Sequence, residues 1–147
     1  MSEGLYSLIY SSTATVPFDQ ESLNQLERAA MEHNGSVQIT GYLTYRNDRF
    51  TQFLEGPAAS VEPLMTRIRQ DPRHTVDSET IFTARAARYF PKWSMRRLNP
   101  MWLPSGNCFD AIEEILHLPS ENGENDALGP VLEKLIDELS KNERYLT

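Results

Sequence analysis

Gln52 is the residue of this chain whose type and position most invite chemistry. It lies in Phe50-Thr51-Gln52-Phe53-Leu54-Glu55-Gly56-Pro57, which otherwise reads as an apolar strand. Strand alternation sets Phe50, Gln52 and Leu54 on one face. A carboxamide between two large apolar neighbours is costly unless something hydrogen-bonds to it. It carries a donor and an acceptor, so rotation lets it answer a change in its partner. Alone, it would read as a core glutamine satisfied by backbone or water. Tyr10, on another strand, offers a phenol that would likewise read as packing if Gln52 were absent.

The elements that must position these residues follow from periodicity and punctuation. Leu5 to Ser12 reads as a first strand, with Tyr6, Leu8 and Tyr10 on one face. Asp19 suits the N-cap of a helix, and Phe18 is placed to staple onto Leu23. Leu23, Leu26, Ala30 and His33 follow at helical spacing, with Asn34-Gly35 as the stop. Val37 to Tyr45 is a second strand, and Arg46-Asn47-Asp48-Arg49 a four-residue hairpin loop into the third, Phe50 to Glu55. Ser60 suits the cap of a second helix bearing Val61, Leu64, Met65 and Ile68, with Pro63 in its first turn and Asp71-Pro72 at its end. Thr80 to Ala84 is a fourth strand, and Trp93-Ser94-Met95 opens a short fifth. The order β-α-β-β-α-β-β predicts an α+β, ferredoxin-like sheet with two helices on one face.

Pro100 and Pro104 mark a boundary, dividing the chain into a domain over 1–98 and a C-terminal α-helical extension over 99–147. Phe109, Ile112, Ile115 and Leu116 form an apolar stripe that Pro119 closes, and residues 120–126 form a polar connector. A last helix from about Pro130 carries Val131, Leu132, Leu135, Ile136 and Leu139. Both stripes must be buried on the open sheet face, on another subunit, or on a partner.

Composition mostly excludes. The 147 residues suit one domain with an appendage, and 39% hydrophobic content is enough for a core. No run nears the about 18 apolar residues of a membrane span. Met1-Ser2-Glu3-Gly4 lacks the layout of a secretory signal. Cys108 is the single cysteine, which excludes an internal disulfide framework and suits the cytoplasm. Residues 1–98 balance 11 acidic against 11 basic residues, whereas 99–147 hold 10 and 3. The net charge of −7 therefore lies in the last third, which disfavours nucleic acid and anionic membrane as partners. No glycine-rich phosphate loop or Ser-His-Asp order appears, and His33, His74 and His117 lack metal-ligand spacing.

Several pieces align in order: Ile9-Tyr10-Ser11-Ser12, His33-Asn34, Ile39-Thr40-Gly41, Phe50 to Gly56, Arg67-Ile68, Asp71-Pro72-Arg73-His74 and Trp93-Ser94-Met95. Over about residues 4–98 the chain resembles the BLUF domains, blue-light sensors that use flavin. The resemblance implies a ferredoxin-like fold with the isoalloxazine ring between the two helices and FAD as the usual cofactor (FMN or riboflavin as alternatives). It implies that Tyr10 donates an electron to excited flavin. Gln52 would bridge Tyr10 to the flavin and rearrange its hydrogen bonds in the signalling state. Asn34 would hold the C4=O and N3 edge, with His33, Arg67, Asp71, Arg73 and His74 around the pyrimidine edge and the ribityl-phosphate tail. Trp93 and Met95 would relay the change to the surface. Gly106-Asn107-Cys108-Phe109 faintly echoes the adduct-forming cysteine motif of LOV photoreceptors, but lacks its Arg and Gln residues. Cys108 reads as an ordinary residue at the start of a tail helix.

The expectation is thus a short, stand-alone, non-enzymatic cytoplasmic photoreceptor. Its output would pass in trans to an unidentified signalling partner or through a change of homo-oligomer, with the extension as the surface concerned. Rival readings are a small ferredoxin-like hydrolase, for which no phosphate-cradling Arg loop is found, and a flavin-free protein-interaction module. An RNA-binding sheet is disfavoured by the neutral core and acidic tail.

Overall fold

Six consecutive residues of the first strand, Ser7 to Ser12, are buried, where a one-sided strand would alternate. A strand covered on both faces behaves this way, and the rest of the fold explains the covering. The computed structural model describes residues 5–85, 88–91, 94–98, 111, 112, 114, 116 and 128–140. Its elements are β1 (Leu5–Ala14), α1 (Gln20–Ser36), β2 (Thr40–Arg46), β3 (Arg49–Gly56), α2 (Ala58–Gln70), β4 (His74–Arg85), β5 (Arg96–Leu98) and α3 (Leu128–Ser140). The sheet order is β4-β1-β3-β2-β5, with β5 parallel to β2 and the other pairs antiparallel. The expected α+β order is present.

Each sheet face has its own core. On one, Leu8, Tyr10, Leu43, Phe50 and Leu54 meet Leu23 of α1 and Val61 and Met65 of α2. On the other, Ile9, Tyr42 and Phe53 meet Ile112, Leu116, Leu132 and Leu135. The described residues between 111 and 116 are helical. Ser78 Oγ on β4 donates to the Leu116 carbonyl, tying this segment to the sheet edge. The described apolar residues of the extension therefore lie on the face opposite α1 and α2.

Several local expectations need correction. The β2–β3 connection is a two-residue turn, with Asn47 and Asp48 at φ 53° and 62° and Arg46 paired with Arg49. Two left-handed residues give the turn whose twist matches the strands, and Asn and Asp tolerate that conformation best. Helix α2 begins at Ala58 with Pro57 at its N-cap, not at a Ser60 cap; the N–H groups of Ser60 and Val61 bond to the Pro57 carbonyl instead. Asp19 does cap α1, accepting from Ser22 N at 2.8 Å. That helix runs past Asn34-Gly35 to Ser36, and β2 begins at Thr40 rather than Val37, because the Asn34 carbonyl still accepts from Val37 and Ile39.

Strand β4 starts six residues earlier than its apolar pattern suggests, because pairing with Ser11 to Ala14 of β1 holds its polar first half. Strand β5 begins only at Arg96. Three of its residues align with Tyr42–Thr44, and Glu27 of α1 takes the Arg97 N–H at 2.8 Å. Met95 precedes the strand and is fully buried. Trp93, Cys108, Phe109, Ile115, His117 and the 120–126 connector lie outside the described residues. No helix among the described residues is long and apolar enough to cross a membrane.

Candidate functional site

Register brings the two central residues together. Tyr10 on β1 and Gln52 on β3 are directly opposed, which places their side chains on the same face of the sheet. Tyr10 Oη donates to Gln52 Oε1 at 2.5 Å. The other end of the amide, Nε2, donates to Met95 Sδ at 3.3 Å. All three are buried, at 3%, 6% and 0% exposure. A thioether is a weak acceptor, so the phenol grips one end of the amide firmly while the other end is loosely held. Burial pushes the Tyr10 phenol far above its ordinary pKa, and the Asp71 carboxylate adds to this. Its hydrogen bond therefore carries a firmly held proton.

This pair floors a cleft of about 440 Å³ between α1 and α2. Of the residues expected around a cofactor, Tyr10, His33, Asn34, Gln52, Arg67, Asp71, Arg73 and His74 all line it. Phe18, Leu43, Phe50 and Leu64 supply apolar walls. Asn34 sits in the last turns of α1, 1% exposed, and its Nδ2 has no partner among the described residues. A buried amide donor left unmatched costs about 1–3 kcal/mol, so it suits a polar atom brought by a ligand. Together, apolar walls, an orphaned donor and a rotatable amide fit a flat heteroaromatic ring with carbonyl acceptors.

The mouth of the cleft departs from the simplest expectation. Asp71 caps the C-terminus of α2 and grips Arg73, with Arg73 Nη2 at 2.6 Å and Nε at 3.0 Å. This hydrogen-bonded contact holds the Asp71 carboxyl down to about 2. Arg73 is therefore already engaged by a carboxylate, whereas Arg67 lies exposed on the same rim. Both ring nitrogens of His74 meet protein atoms, Ser12 Oγ at 2.7 Å and the Ile68 carbonyl at 2.8 Å. Its ring stands edge-on to Tyr10, with centroids 6.0 Å apart. His74 thus acts as a wall beside the phenol. His33 is half-buried on α1. Sequence reasoning did not anticipate the direct contact of Met95 with Gln52, nor the Ser12 and Ile68 partners of His74. It also gave no role to Glu55, a buried carboxylate on the reverse face of β3; an acidic residue in register with Phe53 was the available signal.

Comparisons agree with this geometry. Residues 5–96 match the BLUF family, described as sensors of blue-light using FAD. The chain is 40% identical over 93 residues to the photoactivated adenylate cyclase subunit beta of Euglena longa, a match covering 62% of this chain and 11% of that protein. It is 32% identical over 91 residues to the blue light- and temperature-regulated antirepressor BluF of Escherichia coli strain K12, covering 62% of this chain and 23% of that one. The chain thus spans a minor part of these curated relatives. The dark-state structure of the BLUF protein BlrB superposes with a TM-score of 0.67 at 27% identity, covering 94% of this chain and 96% of that one. With its residues 5–96 matching across β1 to β4 and both cleft helices, this chain belongs to the BLUF family of blue-light sensors that use FAD.

Proposed function

We propose that the α1–α2 cleft holds the flavin ring and that the Tyr10–Gln52–Met95 chain converts absorbed light into a changed hydrogen-bond pattern. The observation carrying this reading is the 2.5 Å bond from Tyr10 to Gln52 at the floor of a cleft where Asn34 Nδ2 lacks a partner among the described residues. FAD, when bound, supplies the blue absorption and an excited state that oxidises a nearby donor. Tyr10 would be the donor on the cleft floor, and Gln52 Oε1 accepts its hydrogen bond. An oxidised phenol is a far stronger acid than the phenol, so loss of an electron from Tyr10 would change the hydrogen bond it shares with Gln52. Gln52 Nε2, held by sulfur alone among the described residues, is the end that exchanges its partner. Asn34 orients the ring's carbonyl edge, and Arg67 is the rim cation suited to phosphate.

The sensory domain is not itself catalytic, and it transmits rather than transforms. Met95 passes the amide change to the segment that enters β5, and Trp93 belongs to the same proposed relay. Residues 99–147 form the output surface, acting on a partner protein or a second copy of this chain. The single cysteine and the acidic tail fit a cytoplasmic setting without nucleic acid.

Absorption spectra of the purified, FAD-loaded chain before and after blue illumination test this reading. The expected result is a small shift of the flavin band to longer wavelength that reverses in the dark and is absent in Gln52→Leu. A bleached band that recovers would instead indicate an adduct and point to Cys108. Failure to retain flavin would refute the cleft assignment.

A further inference from the structure

The buried carboxylate of Glu55 has no part in the photochemistry just described, yet it is among the most heavily engaged side chains of the domain. It is fully buried on β3, on the face opposite Gln52. Oε1 accepts the N–H of Tyr89 at 2.8 Å and Oε2 that of Phe90 at 2.6 Å. Thr40 Oγ1 of β2 donates to Oε2 at 3.2 Å. Arg88 then closes the cluster, donating to Thr40 Oγ1 at 2.8 Å, the Glu55 carbonyl at 3.2 Å and the Gln38 carbonyl at 2.8 Å. Two consecutive backbone N–H groups are thus fixed on one carboxylate, and the side chain that precedes them is tied to Thr40 of β2, Glu55 of β3 and the Gln38 carbonyl.

That anchorage has consequences on both faces of the sheet. It sets the Tyr89 and Phe90 rings against Phe53, with centroids 5.8 and 5.4 Å away, in the core shared with Leu132 and Leu135. It also fixes the chain five residues before Met95, whose sulfur takes the loosely held end of Gln52. A charged group lowered into an apolar core is costly unless fully hydrogen-bonded, and here two of its bonds hold this segment while Thr40 supplies a third. The geometry points to Glu55 as the positioning residue that holds Met95 against Gln52, and so sets how readily the amide rearranges and returns. This inference rests on the proposed photochemical role of Gln52.

The test is the dark-recovery rate of the FAD-loaded full chain after a blue flash, in wild type, Glu55→Gln, Met95→Leu and the double variant. In Glu55→Gln an amide NH2 faces one of the two backbone donors, so one bond is lost while the volume is kept. The expected result is an unchanged shift amplitude with recovery accelerated at least threefold, because a looser Met95 segment offers less resistance to the rotating amide. In the Met95→Leu background the same substitution should change recovery less than twofold, since its effect passes through Met95. Thr40→Val, which removes one donor to Glu55, should shift recovery in the same direction by a smaller factor, and it carries the test if Glu55→Gln does not fold. Recovery accelerated less than threefold in Glu55→Gln would overturn the inference, even if hydrogen exchange at Tyr89 and Phe90 quickens. An equal acceleration with and without Met95 would also overturn it. A wild type showing no reversible shift would refute the photochemical reading itself, and the inference with it.

Discussion

Replacing Tyr10 by Phe and Gln52 by Leu, singly and together, isolates the bond on which the proposed photochemistry depends. Tyr10→Phe keeps the ring in its packing and removes only the hydroxyl that donates to Gln52 at 2.5 Å. Gln52 is 6% exposed, so its Oε1 would face little water to replace the lost donor. Leaving such a buried acceptor unmatched costs about 1–3 kcal/mol. Gln52→Leu is of similar size, but strands the Tyr10 hydroxyl, which is 3% exposed, at a comparable cost of about 1–3 kcal/mol. In the double variant neither polar group remains, and exchanging both partners for apolar groups of like shape is close to neutral. The three variants should therefore be strongly non-additive, with a coupling of about 2–6 kcal/mol, the sum of the two single costs. For a chain of this size that separates the melting temperatures of single and double variants by about 2–4 °C per kcal/mol. Thermal melts over a series of FAD concentrations, with the FAD affinity of each variant measured, separate this coupling from the contribution of ligand binding. If the double variant loses as much as the two singles combined, the two side chains do not depend on each other as the geometry requires.

Acid stability tests the Asp71–Arg73 contact. The folded pKa of Asp71 is depressed to about 2, so its contribution is present above the ordinary carboxylate range and is lost as pH falls from about 4 towards 2. The pair is largely solvated, so Asp71→Asn should remove about 1 kcal/mol or less at neutral pH and flatten that acid limb in denaturant titrations. Gly41→Ala should prevent stable folding: a Cβ there would lie 1.8 Å from the Phe53 carbonyl oxygen at φ +153°, and soluble yield with circular dichroism would show the loss. Leu132→Ala should destabilise the chain by about 2–5 kcal/mol in urea titrations, because Leu132 is fully buried against the sheet. A cost near zero would mean that α3 does not seal that face in solution.

Much of the site was legible from sequence because its signals are local. Gln52 stands out as a polar residue inside an apolar strand, and Asp19 as a cap before a helical stripe. The ordered set of short pieces from Ile9 to Met95 named the family. What local pattern could not supply is pairing. The first half of β4 is polar, and only its hydrogen bonds to β1 make it a strand. A loop of four residues became a turn of two because backbone twist between paired strands selects left-handed Asn47 and Asp48. Apolar stripes in the tail signal burial but not the surface that receives them, since hydrophobic contact has no direction. The second sheet face settles that for Ile112, Leu116, Leu132 and Leu135.

The sequence by itself determined which chemical groups are available, because a phenol, an amide and a thioether keep their donor and acceptor character wherever they lie. Tertiary structure alone decided which of them meet. The β1–β3 register sets Tyr10 opposite Gln52, and the turn into β5 brings Met95 to the other end of the same amide. Across the sheet, Glu55 finds two backbone N–H groups more than thirty residues away. Such contacts depend on strand order and on closing long stretches of chain, and these are properties of the whole fold that no single segment encodes.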